Sequence, residues 1–226
     1  MIPLRDDQPS FSTPLINYFL IVLNVLAFLW ERSVGMQTGS LYAFAIIPDH
    51  TVAVLTGRSY DTLGSAILPL FTSMFLHGGF AHLGGNMLFL WIFGDNVEDY
   101  LGHFRYLLFY LASGVAAAVS HILLNTGSHV PTIGASGAIA GVMGGYFILY
   151  PRARVLTWFF VFVLYLPAWL VLGYWFLLNF MYGAFSDPHS SASGIAFWAH
   201  IGGFLAGVLM VKALPERPHR YRYGTW

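Results

Sequence analysis

Three sets of polar residues interrupt apolar stretches of this chain, and their types are those that acyl-transfer chemistry uses. Ser136 lies in Gly134-Ala135-Ser136-Gly137-Ala138, and His200 lies in Ala199-His200-Ile201-Gly202-Gly203. His82 and Asn86 are four residues apart, a spacing that puts both side chains on one face of a helix. A serine hydroxyl is a weak nucleophile until a neighbouring base takes its proton, and histidine is the commonest such base. A tetrahedral oxyanion needs hydrogen-bond donors aimed where charge develops, which a histidine and an asparagine on one face can supply. Each signal also has a plainer reading when taken alone. Ser136 reads as an N-capping serine beside a packing motif. His200 reads as a hydrogen-bonded core histidine, and His82 with Asn86 as a polar clasp between helices.

These residues sit in a chain made for lipid. Of 226 residues, 57% are hydrophobic and 9% charged, against about 25% charged in soluble domains. The net charge of +0 offers no case for a nucleic-acid partner, and zero cysteines exclude disulfides, thiolate catalysis and Cys-based metal sites. Charge-free windows cover 8–30, 62–94, 106–151, 155–186 and 188–211. A span takes about 20 apolar residues, and Asn125-Thr126-Gly127-Ser128 followed by Pro131 divides the third window in two. Six spans are predicted, over 14–31, 82–100, 104–124, 135–150, 155–182 and 195–213, with a short N-terminal segment 1–13 and a basic tail 214–226. The first span reads as retained, because Arg5 is followed by Asp6 and Asp7 and no small-x-small cleavage site follows the apolar run.

With both termini cytoplasmic, the inside carries Arg5, Arg105, Arg152, Arg154, Lys212, Arg217, Arg220 and Arg222, and the outside only Arg32 and Arg58. That bias predicts the orientation and places Ser136 at the outer start of span 4 and His200 near the outer end of span 6. A helix N-terminus presents free N–H groups and positive partial charge, which suits an oxyanion. Small residues repeat along span 4 (Ser136, Ala140 and Gly144, beside Gly137, Gly141 and Gly145) and along span 6 (Ala199, Gly203 and Gly207). Such stripes let helix backbones approach closely. If they face each other, His200 reaches Ser136, and His82 and Asn86 arrive at the same depth from a third helix. The segment 32–81, too broken by Gly, Pro and Asp for one span, reads as a half-buried interfacial structure. His77 is expected at the mouth of the site. His50, His103, His121, His129, His189 and His219 show no partner spacing. The basic tail is placed to touch anionic headgroups.

Over about 69–210 the chain resembles the rhomboid family of intramembrane serine proteases. The likeness rests on His82-x-x-x-Asn86 in span 2, Gly134-Ala135-Ser136-Gly137 opening span 4, and Ala199-His200-Ile201-Gly202-Gly203 in span 6. It implies an all-α membrane bundle of six transmembrane helices with a long membrane-associated first loop. It further implies Ser136 as nucleophile, His200 as general base in a dyad without an acidic member, and His82, Asn86 and the Ser136 backbone N–H as the oxyanion hole. Similar proteins act on single-span membrane proteins within the lipid bilayer, need no cofactor or metal, and in the simple bacterial form lie in the inner membrane. The resemblance makes Phe185–Ala192 part of a substrate-entry cap and gives Glu98 and Arg105 anchoring roles. One departure is plain: the Trp-Arg pair that many rhomboids carry in the first loop is replaced by Leu41-Tyr42-Ala43-Phe44-Ala45.

Three rival readings remain at this point. A catalytically inactive relative that binds transmembrane clients would share the fold, though such proteins usually lack the serine or the histidine. A transporter could line a path with these polar groups, but no carboxylate lies deep in spans 2, 4 or 6 and no inverted halves are visible. A zinc protease of the His-Glu-x-x-His kind needs a glutamate that His77, His82 and His200 lack.

Overall fold

The computed structural model describes residues 1–35, 39–185 and 196–217. A short strand β1 (Ile2–Asp6) precedes helix α1 (Leu15–Val34). The first loop then folds into a 3-10 turn at Gly39–Phe44 and short helices α2 (Pro48–Leu55), α3 (Leu63–Ile67) and α4 (Pro69–Thr72). Long helices α5 (Phe80–Leu101) and α6 (His103–Leu124) follow, then α7 (Ser136–Leu149), strands β2 (Arg154–Phe159) and β3 (Phe162–Pro167), and helices α8 (Ala168–Phe185) and α9 (Phe197–Ala213).

Each of the six expected spans contains a helix. Among the described residues, α1, α6 and α8 are long and apolar enough to cross a membrane. Helix α5 continues from Leu63–Phe75 through a 79° bend, and α7 and α9 are shorter apolar helices. Leucines such as Leu26, Leu108, Leu177 and Leu209 lie exposed on the outer faces, a pattern that suits lipid as the solvent.

The expected start of span 5 at 155 is corrected: residues 154–167 form a hairpin and the helix begins at Ala168. Apolar content alone does not separate a strand from a helix. Here Val155 and Thr157 point inward while Arg154 and Trp158 point outward, a period of two. Phe160 takes φ 54 in the turn, and Pro167 closes the hairpin just before the helix. β1 pairs antiparallel with β2, so the helical bundle carries a three-stranded sheet β1-β2-β3 at the end where α7 finishes. Tyr146 of α7 donates its hydroxyl proton to Asp6 of β1. Burial pushes the Asp6 carboxyl above its usual range, opposed in part by that bond.

The core is centred on α7, where Gly137 through Tyr146 are all buried. α7 and α9 run parallel and nearly touch. A Cβ at Gly203 would stand 2.0 Å from the Gly137 carbonyl oxygen, and one at Gly207 1.9 Å from that of Gly141. α6 closes the third side, with Ser113 against Gly141 and Ser120 against Gly202. On α7 the close approach is made by Gly137, Gly141 and Gly144, where a Cβ at Gly144 would stand 2.1 Å from the Phe204 carbonyl oxygen of α9.

Buried carboxylates pin the ends. Glu98, 0% exposed, accepts from the backbone N–H groups of Ile16 (3.0 Å) and Asn17 (2.7 Å) and meets His103 at 2.5 Å. It thereby supplies the N-terminal cap that Pro14 cannot give α1. Asp99 accepts from Ser12 Oγ and Arg217 at 2.5 and 2.6 Å, and Arg105 reaches the Pro215 carbonyl at 3.2 Å.

Candidate active site

The loop before α7 brings Ser136 to the first turn of that helix. Gly134 makes this possible, for its φ of 133 is rarely adopted by a residue with a side chain. Its N–H is held by the Ser73 carbonyl at 2.8 Å. A Cβ at Gly134 would lie 2.8 Å from His82 Nε2 and 3.6 Å from Ser136 Oγ, so both groups flank one point. The helix opens at Ser136, and the first N–H groups of any helix have no acceptor within it.

α7 and α9 then place Ser136 Oγ 2.8 Å from His200 Nε2. His200 is 9% exposed. Its Nδ1 stands 2.6 Å from Asn179 Oδ1 on α8, and Asn179 Nδ2 donates to the Trp175 carbonyl at 2.8 Å. That second bond fixes which end of the amide faces the histidine: the oxygen does, so Nδ1 carries the proton and Nε2 is free to accept from the serine. Trp175, one helical turn from Asn179, lies against the His200 ring with centroids 5.4 Å apart.

His82 has the opposite tautomer. Its Nδ1 accepts from the Gly78 N–H at 3.4 Å, which leaves Nε2–H as a donor toward the Gly134–Ser136 turn. Asn86 lines the same cavity, and one of its amide hydrogens is taken by His77 Nε2 at 3.0 Å. The other is available to a ligand. His77 is corrected from the mouth of the site to a buried position behind Asn86 and His82. It is 0% exposed, its backbone N–H is held by the Glu31 carboxylate of α1 at 3.0 and 3.1 Å, and its ring lies 5.1 Å from that of His82.

A cavity of about 740 Å³ encloses these groups. Ser136, His200, His82 and Asn86 lie on its wall together with Met74, Ala117 and Met143. His121, read from sequence as unpartnered, also lines it and bonds Thr132 Oγ1 at 2.9 Å. His50 pairs with Asp61 at 3.0 Å and His129 with Asp49 at 3.6 Å, both away from the cavity wall. Among the described residues, no three His, Asp or Glu side chains converge as metal ligands. The expected entry cap lies, beyond Phe185, outside the described residues, as do His189 and His219.

Asn179 and Trp175 were not singled out from sequence. A signal existed, since Asn179 is the one amide side chain in the apolar helix α8, and a polar side chain in a membrane helix marks function by default. Glu31 and Ser73 are tied in by bonds to residues distant in sequence, which no local pattern reveals.

Apolar helices packed around a cavity that holds a few polar side chains define a helical membrane protein. The Rhomboid domain model matches residues 64–217, and the chain belongs to the rhomboid family. It is therefore an integral, multi-pass membrane protein. It is 34% identical over 239 residues to Rhomboid protein 1, mitochondrial, of Saccharomyces cerevisiae, covering 90% of this chain and 65% of that protein. It is 29% identical over 212 residues to Rhomboid protease GluP of Bacillus subtilis, covering 93% and 36%. RHOMBOID-like protein 5 of Arabidopsis thaliana is 30% identical over 154 residues, 68% and 46%. The chain thus spans 36% to 65% of the length of these relatives.

Proposed function

We propose that the protein is an intramembrane serine protease that hydrolyses peptide bonds in or near the transmembrane segments of membrane proteins. The observation that carries this reading is the 2.8 Å bond between Ser136 Oγ and His200 Nε2, made by two helices inside a cavity. Ser136 Oγ attacks the scissile carbonyl as its proton passes to His200 Nε2. The oxyanion is met by His82 Nε2–H, the free Asn86 amide hydrogen and the Ser136 backbone N–H. Collapse of the tetrahedral intermediate transfers the Nε2 proton to the leaving amine and leaves an acyl-enzyme. Water, deprotonated by His200, then releases the second product. None of these steps requires a metal or cofactor.

The depth of the site supports a membrane substrate. α7, with 14 residues, spans about 21 Å against a hydrocarbon core of about 30 Å. A helix this short, enclosed by longer ones, starts its first turn below one membrane face. Residues 14–213 form the membrane domain in this reading, flanked by 1–13 and 214–226. The Lys and Arg bias sets both termini in the cytoplasm and the cavity toward the outer face. The resemblance implied a bacterial inner membrane, whereas the yeast relative is named as mitochondrial.

The test is cleavage of a single-span model substrate in liposomes together with labelling by a fluorophosphonate, which phosphonylates activated serines with loss of fluoride. Turnover with labelling at Ser136 is expected. A folded wild type that neither cleaves a panel of such substrates nor takes the label would instead be a client-binding relative. His82→Ala is expected to lower kcat by about 10²- to 10³-fold, the loss typical of one oxyanion donor, with little change in KM. A change confined to KM would remove His82 from that role.

A further inference from the structure

We infer that Asn179 is a positioning residue for the general base: its side-chain oxygen holds His200 in the one tautomer and orientation that can take the proton of Ser136. The inference deepens the protease reading and rests on it.

Four observations converge. Asn179 Oδ1 lies 2.6 Å from His200 Nδ1, on the ring side opposite the serine. The amide cannot present its nitrogen instead, because Nδ2 is committed to the Trp175 carbonyl at 2.8 Å. The pair is sheltered, with Asn179 7% and His200 9% exposed, so bulk water competes poorly for either group. Trp175, on the same face of α8 one turn earlier, packs its ring on the imidazole and limits its rotation.

The chemistry needs such a hold. A neutral imidazole carries one proton on either nitrogen. With the proton on Nε2, His200 would offer the Ser136 hydroxyl a donor, and no base would be present. An acceptor at Nδ1 selects the useful form and remains hydrogen-bonded when the proton from Ser136 makes the ring a cation. A carboxylate would do this more strongly, but burying a charge in an apolar helix is costly. A neutral amide supplies the acceptor dipole without that cost. The residue takes the same place in the hydrogen-bond chain, on Nδ1 of the base, as the third member of a hydrolase triad, where loss of the correct tautomer is the main consequence of its replacement.

The experiment follows the ¹⁵N resonances of imidazole-labelled protein in detergent, with His200 assigned by comparison with His200→Ala. The wild type is expected to show protonated Nδ1 and bare Nε2. Asn179→Leu, similar in volume but with no acceptor, is expected to lose that preference and about 10²-fold in kcat, with KM within about twofold. Asn179→Asp keeps an oxygen acceptor in either protonation state. It is expected to retain the tautomer and to stay within about tenfold of wild-type kcat. A wild-type ring protonated at Nε2 would overturn the proposal. So would Asn179→Leu with unchanged spectrum and rate, or a folded Asn179→Asp as slow as the leucine variant. If Asn179→Leu fails to fold, the wild-type spectrum and the aspartate variant still decide. The spectrum does not depend on turnover, so a wild type without cleavage would defeat the protease reading while the tautomer test stood.

Discussion

Ser136→Ala and His200→Ala are each expected to lower kcat/KM by about 10⁴-fold or more, and the double variant is expected to lose no more than the worse single one. Nucleophile and base act as a unit, so removing either abolishes the same step and the losses do not multiply. The geometry gives this expectation its basis: the hydroxyl bonds His200 Nε2 at 2.8 Å inside the cavity. What survives would come from the oxyanion donors and substrate positioning, which these substitutions leave in place. The fold is expected to hold. Ser136→Ala removes one hydrogen bond at a cavity wall, a change of about 1 kcal/mol, and none of the helix contacts that build the core. Cleavage rates in liposomes and thermal aggregation of the purified variants check both halves. Losses that multiply in the double variant would mean that the two residues act in separate steps.

Much of this site was legible because its residues are improbable where they stand. A serine, two histidines and an asparagine in apolar helices cost energy unless they are satisfied, and glycine stripes encode which helices lie side by side. Gly137, Gly141, Gly203 and Gly207 predicted that the helices of Ser136 and His200 touch, and α7 and α9 pack backbone to backbone. The hairpin at 154–167 was not legible, because hydropathy is blind to the period of two that Val155 and Thr157 set. The role of His77 was hidden for another reason. Its burial depends on Glu31, a carboxylate 46 positions away on α1 whose only visible trait in the sequence was to end an apolar run. Asn179 was passed over because no short motif surrounds it, and its meaning arises only when α8 is laid beside α9.

Gly207→Ala is expected to destabilise the protein by about 3 kcal/mol or more, a large effect for one methyl group in a helix that alanine normally favours. The added Cβ would stand 1.9 Å from the carbonyl oxygen and 2.6 Å from the carbonyl carbon of Gly141. These are backbone atoms of α7, fixed by the helix itself, so no side-chain rotation relieves the clash and the two helices must separate. Gly173→Ala on α8 is the control: its Cβ would meet only Phe147 at 3.9 Å, and stability is expected to be unchanged or slightly raised. Thermal aggregation in detergent distinguishes the two. The same separation reaches the chemistry, because Gly203 against Gly137 lies between Gly207 and the dyad along the parallel pair. Protein that does fold with alanine at 207 is therefore expected to turn over more slowly, since an ångström added between α7 and α9 breaks the bond from Ser136 to His200. If Gly207→Ala were as stable and as active as the control, close approach of the two backbones would not be what sets the distance between nucleophile and base.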